Sequence, residues 1–153
     1  MKIGIVGARK YKNRKAVIAL VNALNAQATI ITSKCSGPCA FTVEAAAERN
    51  MKVVVYAPDL KDIRSWFDVP KRYYNRNREL VEACDILYAF VSSDGLVGGT
   101  LFEVAYAIKL GIPVQLHRET GIIQTIYQNR FPFMNLKHSL SDNWQAFFRQ
   151  ALS

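Results

Sequence analysis

Five short apolar runs punctuate this chain, and segments with helical spacing lie between them. The runs are KIGIV (2–6), ATIIT (28–32), KVVVYA (52–57), DILYAFV (85–91) and IPVQLH (112–117). Parallel neighbours need a crossover between them, and a helix is the usual one. Short apolar strands alternating with helices therefore predict an open parallel sheet with helices on both faces. In NRKAVIALVNAL, Val17, Leu20, Val21 and Leu24 fall on one helical face. FTVEAAAERN reads as an alanine-rich helix stopped at Asn50, NRELVEAC as a third helix, and TLFEVAYAIKLG as a fourth closed by Gly111. KVVVYA is almost wholly apolar and is expected to be buried on both faces. CSGPC reads as a turn, and residues 57–74 and 117–143 as irregular. NWQAFFRQAL reads as a terminal amphipathic helix. The expected architecture is α/β: a Rossmann-like open parallel sheet of about five strands. It is read as one domain over 1–153, with a core over 2–116 and a C-terminal extension over 117–153.

Half of the 153 residues are hydrophobic, which suits one domain with a substantial core. The start, MKIGIVGARK, goes directly into a strand pattern and lacks the layout of a signal peptide. No apolar run approaches the roughly 20 residues of a membrane span. A cytoplasmic protein with no membrane partner is expected. Three cysteines, Cys35, Cys39 and Cys84, do not make a disulfide framework. The C-x-x-x-C pair lacks a second pair of ligands, so neither a metal nor a cofactor is expected.

The net charge of +8 favours polyanions, either nucleic acid or phosphorylated small molecules. The charge is clustered in RKYKNRK (9–15) and in KRYYNRNR (71–78). Ligands of such sheets bind beyond the carboxyl ends of the strands, at the switch in strand order. Gly7 permits a tight turn there, and Arg9 is placed to reach an anion. The dinucleotide fingerprint G-x-G-x-x-G is absent. Gly37 lets the backbone approach closely before a helix N-terminus. Arg76, Asn77 and Arg78 read as the opening of the third helix, where the helix dipole disfavours cations and a bound anion would account for them. Tyr73 and Tyr74 are candidates for stacking on a base.

SSDGLVGGTLFE is the richest stretch. Gly98 and Gly99, with Gly95, make a loop suited to close approach. Thr100 and Glu103 have the T-x-x-E spacing of a capping box, so Glu103 is open to two readings. It either finishes a cap or faces a substrate. In the first helical turn its charged form would be favoured. A carboxylate there suits ribose hydroxyls or an oxocarbenium-like anomeric carbon. Asp94 is the nearest second acid for a departing base.

With RNRE at 76–79, DILYAF at 85–90 and GTLFE at 99–103, the chain resembles the SLOG superfamily of Rossmann-like proteins. That group includes the lonely-guy (LOG) phosphoribohydrolases and DNA-processing protein A. GTLFEVAYAIKLGIPV is also similar to the G-T-x-x-E-x-x-x-A segment of nucleoside 2-deoxyribosyltransferases. The resemblance covers about Lys2 to Leu116. It implies a catalytic arginine at Arg76, a phosphate loop at Gly99 and Thr100, and a catalytic glutamate at Glu103. Asn77 stands where LOG enzymes have lysine, Leu80 where they have methionine, and Cys39 at an acidic position of the second-strand loop. The resemblance implies action on the N-glycosidic bond of a nucleoside or nucleoside monophosphate, and a homodimer. A nucleotide-sensing module without catalysis and a nucleic-acid-binding protein are the other two readings.

Overall fold

A computed structural model of the chain describes residues 1–126. The final helix expected over 143–152 lies outside the described residues. Six strands and four helices follow in the order β1 (Lys2–Gly7), α1 (Arg14–Ala23), β2 (Thr29–Ser33), α2 (Pro38–Glu48), β3 (Lys52–Tyr56), α3 (Asp68–Glu82), β4 (Ile86–Val91), α4 (Gly98–Leu110), β5 (Val114–Arg118) and β6 (Ile123–Ile126). They form one sheet in the order β3-β2-β1-β4-β5-β6. The first five strands are parallel, and β6 returns antiparallel on β5. This is a Rossmann-like α/β fold. The order reverses at β1, which pairs with β2 on one side and β4 on the other. A crevice at the carboxyl ends of β1 and β4 follows from that reversal.

Each face of the sheet has its own core. One gathers Val6, Leu80, Leu87, Val91, Val104 and Ile108 beneath α3 and α4. The other gathers Ile5, Tyr11, Val17, Val21, Ile30 and Phe90 beneath α1 and α2. β1 and β4 sit between the two, which is why their sequences are almost unbroken apolar runs. No helix among the described residues is long and apolar enough to cross a membrane.

The structure departs from the sequence reading at five places. β3 is an edge strand, and Val54 and Val55 are 36% and 44% exposed rather than buried. An apolar run marks a strand, but strand order decides whether a neighbour covers it. α3 starts at Asp68, so residues 68–74 are helical. Ser65 holds its entry, accepting from the backbone N–H of Phe67 through its side chain (3.2 Å) and from that of Asp68 through its carbonyl (3.0 Å). Pro70 lies in the first turn, where a missing N–H costs nothing. α2 starts at Pro38 and takes in Cys39, which shortens the expected turn. α4 starts at Gly98. The stretch after His117, expected to be irregular, contains β6 and brings the sheet to six strands rather than about five.

Gly111 closes α4 as expected, in the left-handed region at φ 78°. Gly7 has a different purpose. A Cβ there would meet Pro38 Cγ at 2.7 Å and Phe90 Cβ at 2.9 Å. Its absence lets the start of α2 press against the end of β1. Gly7→Ala is expected to destabilise the protein by about 1–3 kcal/mol, the usual cost of overpacking. Urea unfolding at constant pH measures it, and an unchanged midpoint would show that the contact relaxes freely.

Candidate functional site

A cleft of about 550 Å³ opens at the reversal of strand order. That volume is in the range of small-molecule sites. One wall is the loop after β1, with Gly7, Arg9 and Lys10. Ser33, Cys35 and Cys39 come from β2 and the start of α2. Val69, Pro70, Tyr73, Tyr74, Arg76 and Asn77 come from α3. Ser92, Asp94, Val97, Gly99, Thr100 and Glu103 come from the end of β4 and from α4.

Eight of the expected site residues therefore meet here: Gly7, Arg9, Arg76, Asn77, Asp94, Gly99, Thr100 and Glu103. Three do not line the cleft. Gly37 instead lies against the β1 loop, where a Cβ would be 3.0 Å from the Arg9 carbonyl oxygen, and its φ is 79°. It holds two loops of the crevice together by backbone packing. Gly98 is exposed with open space around it. Arg78 is exposed, and its guanidinium lies 5.7 Å from the centre of the Phe102 ring. Helical spacing explains the difference. Once α3 begins at Asp68, Arg76 and Arg78 are two residues apart in mid-helix and face different ways. Neither stands at a helix N-terminus, where the helix dipole would disfavour it.

α4 has Val97 as its N-cap, and no side chain caps it. Thr100 sits in the first turn rather than before it, so the capping box does not form. Glu103 lies in the second turn and is 5% exposed. Leu96 packs against the core beneath α4 and anchors the loop in front of it. α2 likewise lacks a side-chain cap. Two helix N-termini with free N–H groups thus begin at the cleft, an arrangement that suits an anion.

Arg76 is 5% exposed and carries much of the geometry. Its Nε donates to Asn77 Oδ1 at 2.8 Å, and its Nη2 lies 3.7 Å from Cys35 Sγ. The guanidinium also lies 5.5 Å from the centre of the Tyr73 ring, so that face of Tyr73 is taken. Tyr74 is 40% exposed and leans on Phe102 at 4.8 Å between ring centres. It is the aromatic surface left for a ligand. Of the first basic cluster, Arg9 and Lys10 face the cleft, whereas Arg14 pairs with Glu44 at 2.6 Å.

Glu103 differs most from the expectation. Burial pushes its carboxyl up to about 8, against the opposing charge of Arg76 and with a smaller push from Cys35. It is protonated at neutral pH, not ionised as the capping position implied. Among the described residues it makes no hydrogen bond and no ion pair. A neutral acid with a free O–H, facing a cleft, is a proton donor awaiting a partner. Asp94 lies at the mouth, its side chain 53% exposed and 3.3 Å from Lys10 Nζ. It is not placed with Glu103 at the floor.

Sequence reasoning passed over Cys35 except as a metal ligand. Burial alone would raise its thiol. The Ser33 hydrogen bond, the Arg76 charge and hydrogen bonds from Arg76 and Arg9 outweigh that and hold it below its usual value. The only signal in the sequence was its place after β2, on a level with Arg9. Among the described residues, no three His, Cys, Asp or Glu side chains converge on a metal position. His117 lines a separate cavity of about 380 Å³, with Tyr11 and Arg118.

No family model, curated protein or solved structure matches the chain. The fold and the cleft define a Rossmann-like α/β protein with a crevice at its topological switch that Arg9, Lys10 and Arg76 line.

Folded Glu103 keeps its proton to about pH 8, and the free side chain releases it near 4.5. Between those values the unfolded chain binds fewer protons, so the Glu103 contribution to stability falls as pH rises. The expected loss over that window is a few kcal/mol. Urea titrations of wild type and Glu103→Gln at several pH values isolate it, because the variant lacks this slope. Parallel curves would show that Glu103 ionises in the folded protein as it does in water.

Proposed function

We propose that the cleft binds a nucleoside or nucleoside monophosphate and cleaves its N-glycosidic bond, as a hydrolase or as a transferase to a second acceptor. One observation carries the reading: a buried carboxyl, free of hydrogen bonds and protonated at neutral pH, faces a cleft that Arg9, Lys10, Arg76 and Tyr74 also line. In this scheme Glu103 is the general acid. As the C–N bond breaks, the bonding electrons leave with the base, and the base takes the Glu103 proton. The anomeric carbon becomes oxocarbenium-like and is captured by water or by an acceptor. The carboxylate left behind sits near Arg76, which favours it.

Arg9, Lys10 and the uncapped start of α4 suit a phosphate or sugar oxygens, and Tyr74 offers a face to the base. Asp94 has no catalytic step in this scheme. The kinship with SLOG proteins, and the homodimer it implies, belong to the same proposal and rest on the motifs.

The test is release of free base from a panel of nucleosides and their 5′-monophosphates, followed by chromatography. Glu103→Gln is expected to lower kcat by about 10²–10⁴-fold, the usual worth of a general acid. Activity in the wild type is expected to decline above about pH 8, as the acid is lost. Tight binding by calorimetry without any base release would leave a sensing module in place of an enzyme.

A further inference from the structure

The chain has three free cysteines, and their surroundings differ sharply. Cys84 is buried, its Sγ donates to the Leu80 carbonyl at 3.1 Å, and burial pushes its thiol up to about 12. Cys39 is 1% exposed, and burial raises it too. Its sulfur lies 3.3 Å from Ser33 Oγ. Cys35 alone is partly exposed and lines the cleft.

The groups facing Cys35 come from every wall. Arg76 on α3 brings Nη2 within 3.7 Å, fixed there by its bond to Asn77. Arg9 from the β1 loop and Ser33 from the end of β2 line the same cleft. Glu103 on α4 and Cys39 on α2 complete the surroundings, the first as a neutral acid and the second as a neutral thiol. Arg76 at 3.7 Å, with Arg9 in the same cleft, gives this partly exposed sulfur the electropositive setting in which a cysteine reacts as thiolate. A second feature of the same space points to a ligand. Glu103, 95% buried by its 5% exposure, faces it without any hydrogen-bond partner among the described residues.

We propose that Cys35 is a modification site, a thiolate that reacts inside the cleft with hydroperoxides and with small soft electrophiles. With hydrogen peroxide the sulfur attacks one oxygen and the O–O bond breaks. The S–O bond formed gives a sulfenic acid, and the departing hydroxide takes the Glu103 proton to leave as water. Sulfur is oxidised by two electrons and the peroxide is reduced by the same two. Arg76 and Arg9 stabilise the thiolate before the reaction. The site is independent of any glycosidic activity, and its chemistry is read without a nucleotide.

The experiment uses the full chain, with its cysteines as their own controls. Iodoacetamide labelling is followed at each cysteine by mass spectrometry over a range of pH. Cys35 is expected to label at least ~10-fold faster than Cys39 and Cys84 at neutral pH, with a midpoint below the about 8.5 of a free cysteine. Hydrogen peroxide followed by dimedone is expected to leave its adduct at Cys35. Arg9→Ala, and Arg76→Met if it folds, are expected to move the labelling midpoint upward. A midpoint at or above that of a free cysteine overturns the proposal, as does an adduct confined to other cysteines or no adduct at all. An Arg9→Ala profile identical to wild type would overturn the role of Arg9 in holding the thiolate.

Discussion

Arg76 and Glu103 are each 5% exposed, sit on different helices, and lie close enough to feel each other's charge. They form no ion pair. Arg76 spends its donors on Asn77 and on Cys35, and the Glu103 carboxyl is left without a partner. Much of the cleft follows from this incomplete match. The guanidinium keeps its charge and draws the Cys35 thiol down, whereas burial drives the Glu103 carboxyl up. A cation, a thiol held below its usual value and a neutral acid therefore share one floor. In a fully paired salt bridge the same two residues would be inert, because each would satisfy the other.

Backbone close to the floor is built to let this happen. Gly7 and Gly37 bring the loop after β1 against the start of α2. Leu96 ties the loop after β4 into the core, which leaves Val97, Gly99 and Thr100 at the edge of the cleft. The two helices that start here lack side-chain caps, so their N–H groups are available to a ligand. An uncapped helix end is a local cost in stability, which a bound anion offsets.

Much of the fold was legible. The five apolar runs became β1 to β5 within a few residues, and Gly111 stopped α4 as its permissive backbone allows. The start of α3 was missed because residues 57–74 read as irregular, although Pro70 falls in the first turn, where a proline removes an N–H that has no partner anyway. β6 was missed because IQTI is short and flanked by turn residues, and pairing with β5 is what makes it a strand. Of the candidate site, the residues at strand ends were found from topology alone. Arg78 was misplaced because two residues along a helix turn a side chain away from the face Arg76 occupies, and Gly98 because α4 begins at it rather than after it.

The sequence alone determined the class of fold. Period and polarity are local properties, and alternation of apolar runs with helical segments leaves few ways to bury both. It also determined that arginines, glycines and a glutamate would gather at strand ends. Only the tertiary structure decided which of them face one another and in what state. β3 became an edge by strand order, and Cys35 came to share a cleft with arginines 26 residues before it and 41 after it in the chain. Glu103 changed from a helix-capping anion to a neutral acid because burial is a property of the whole packed molecule. At that position desolvation outweighs the Arg76 charge.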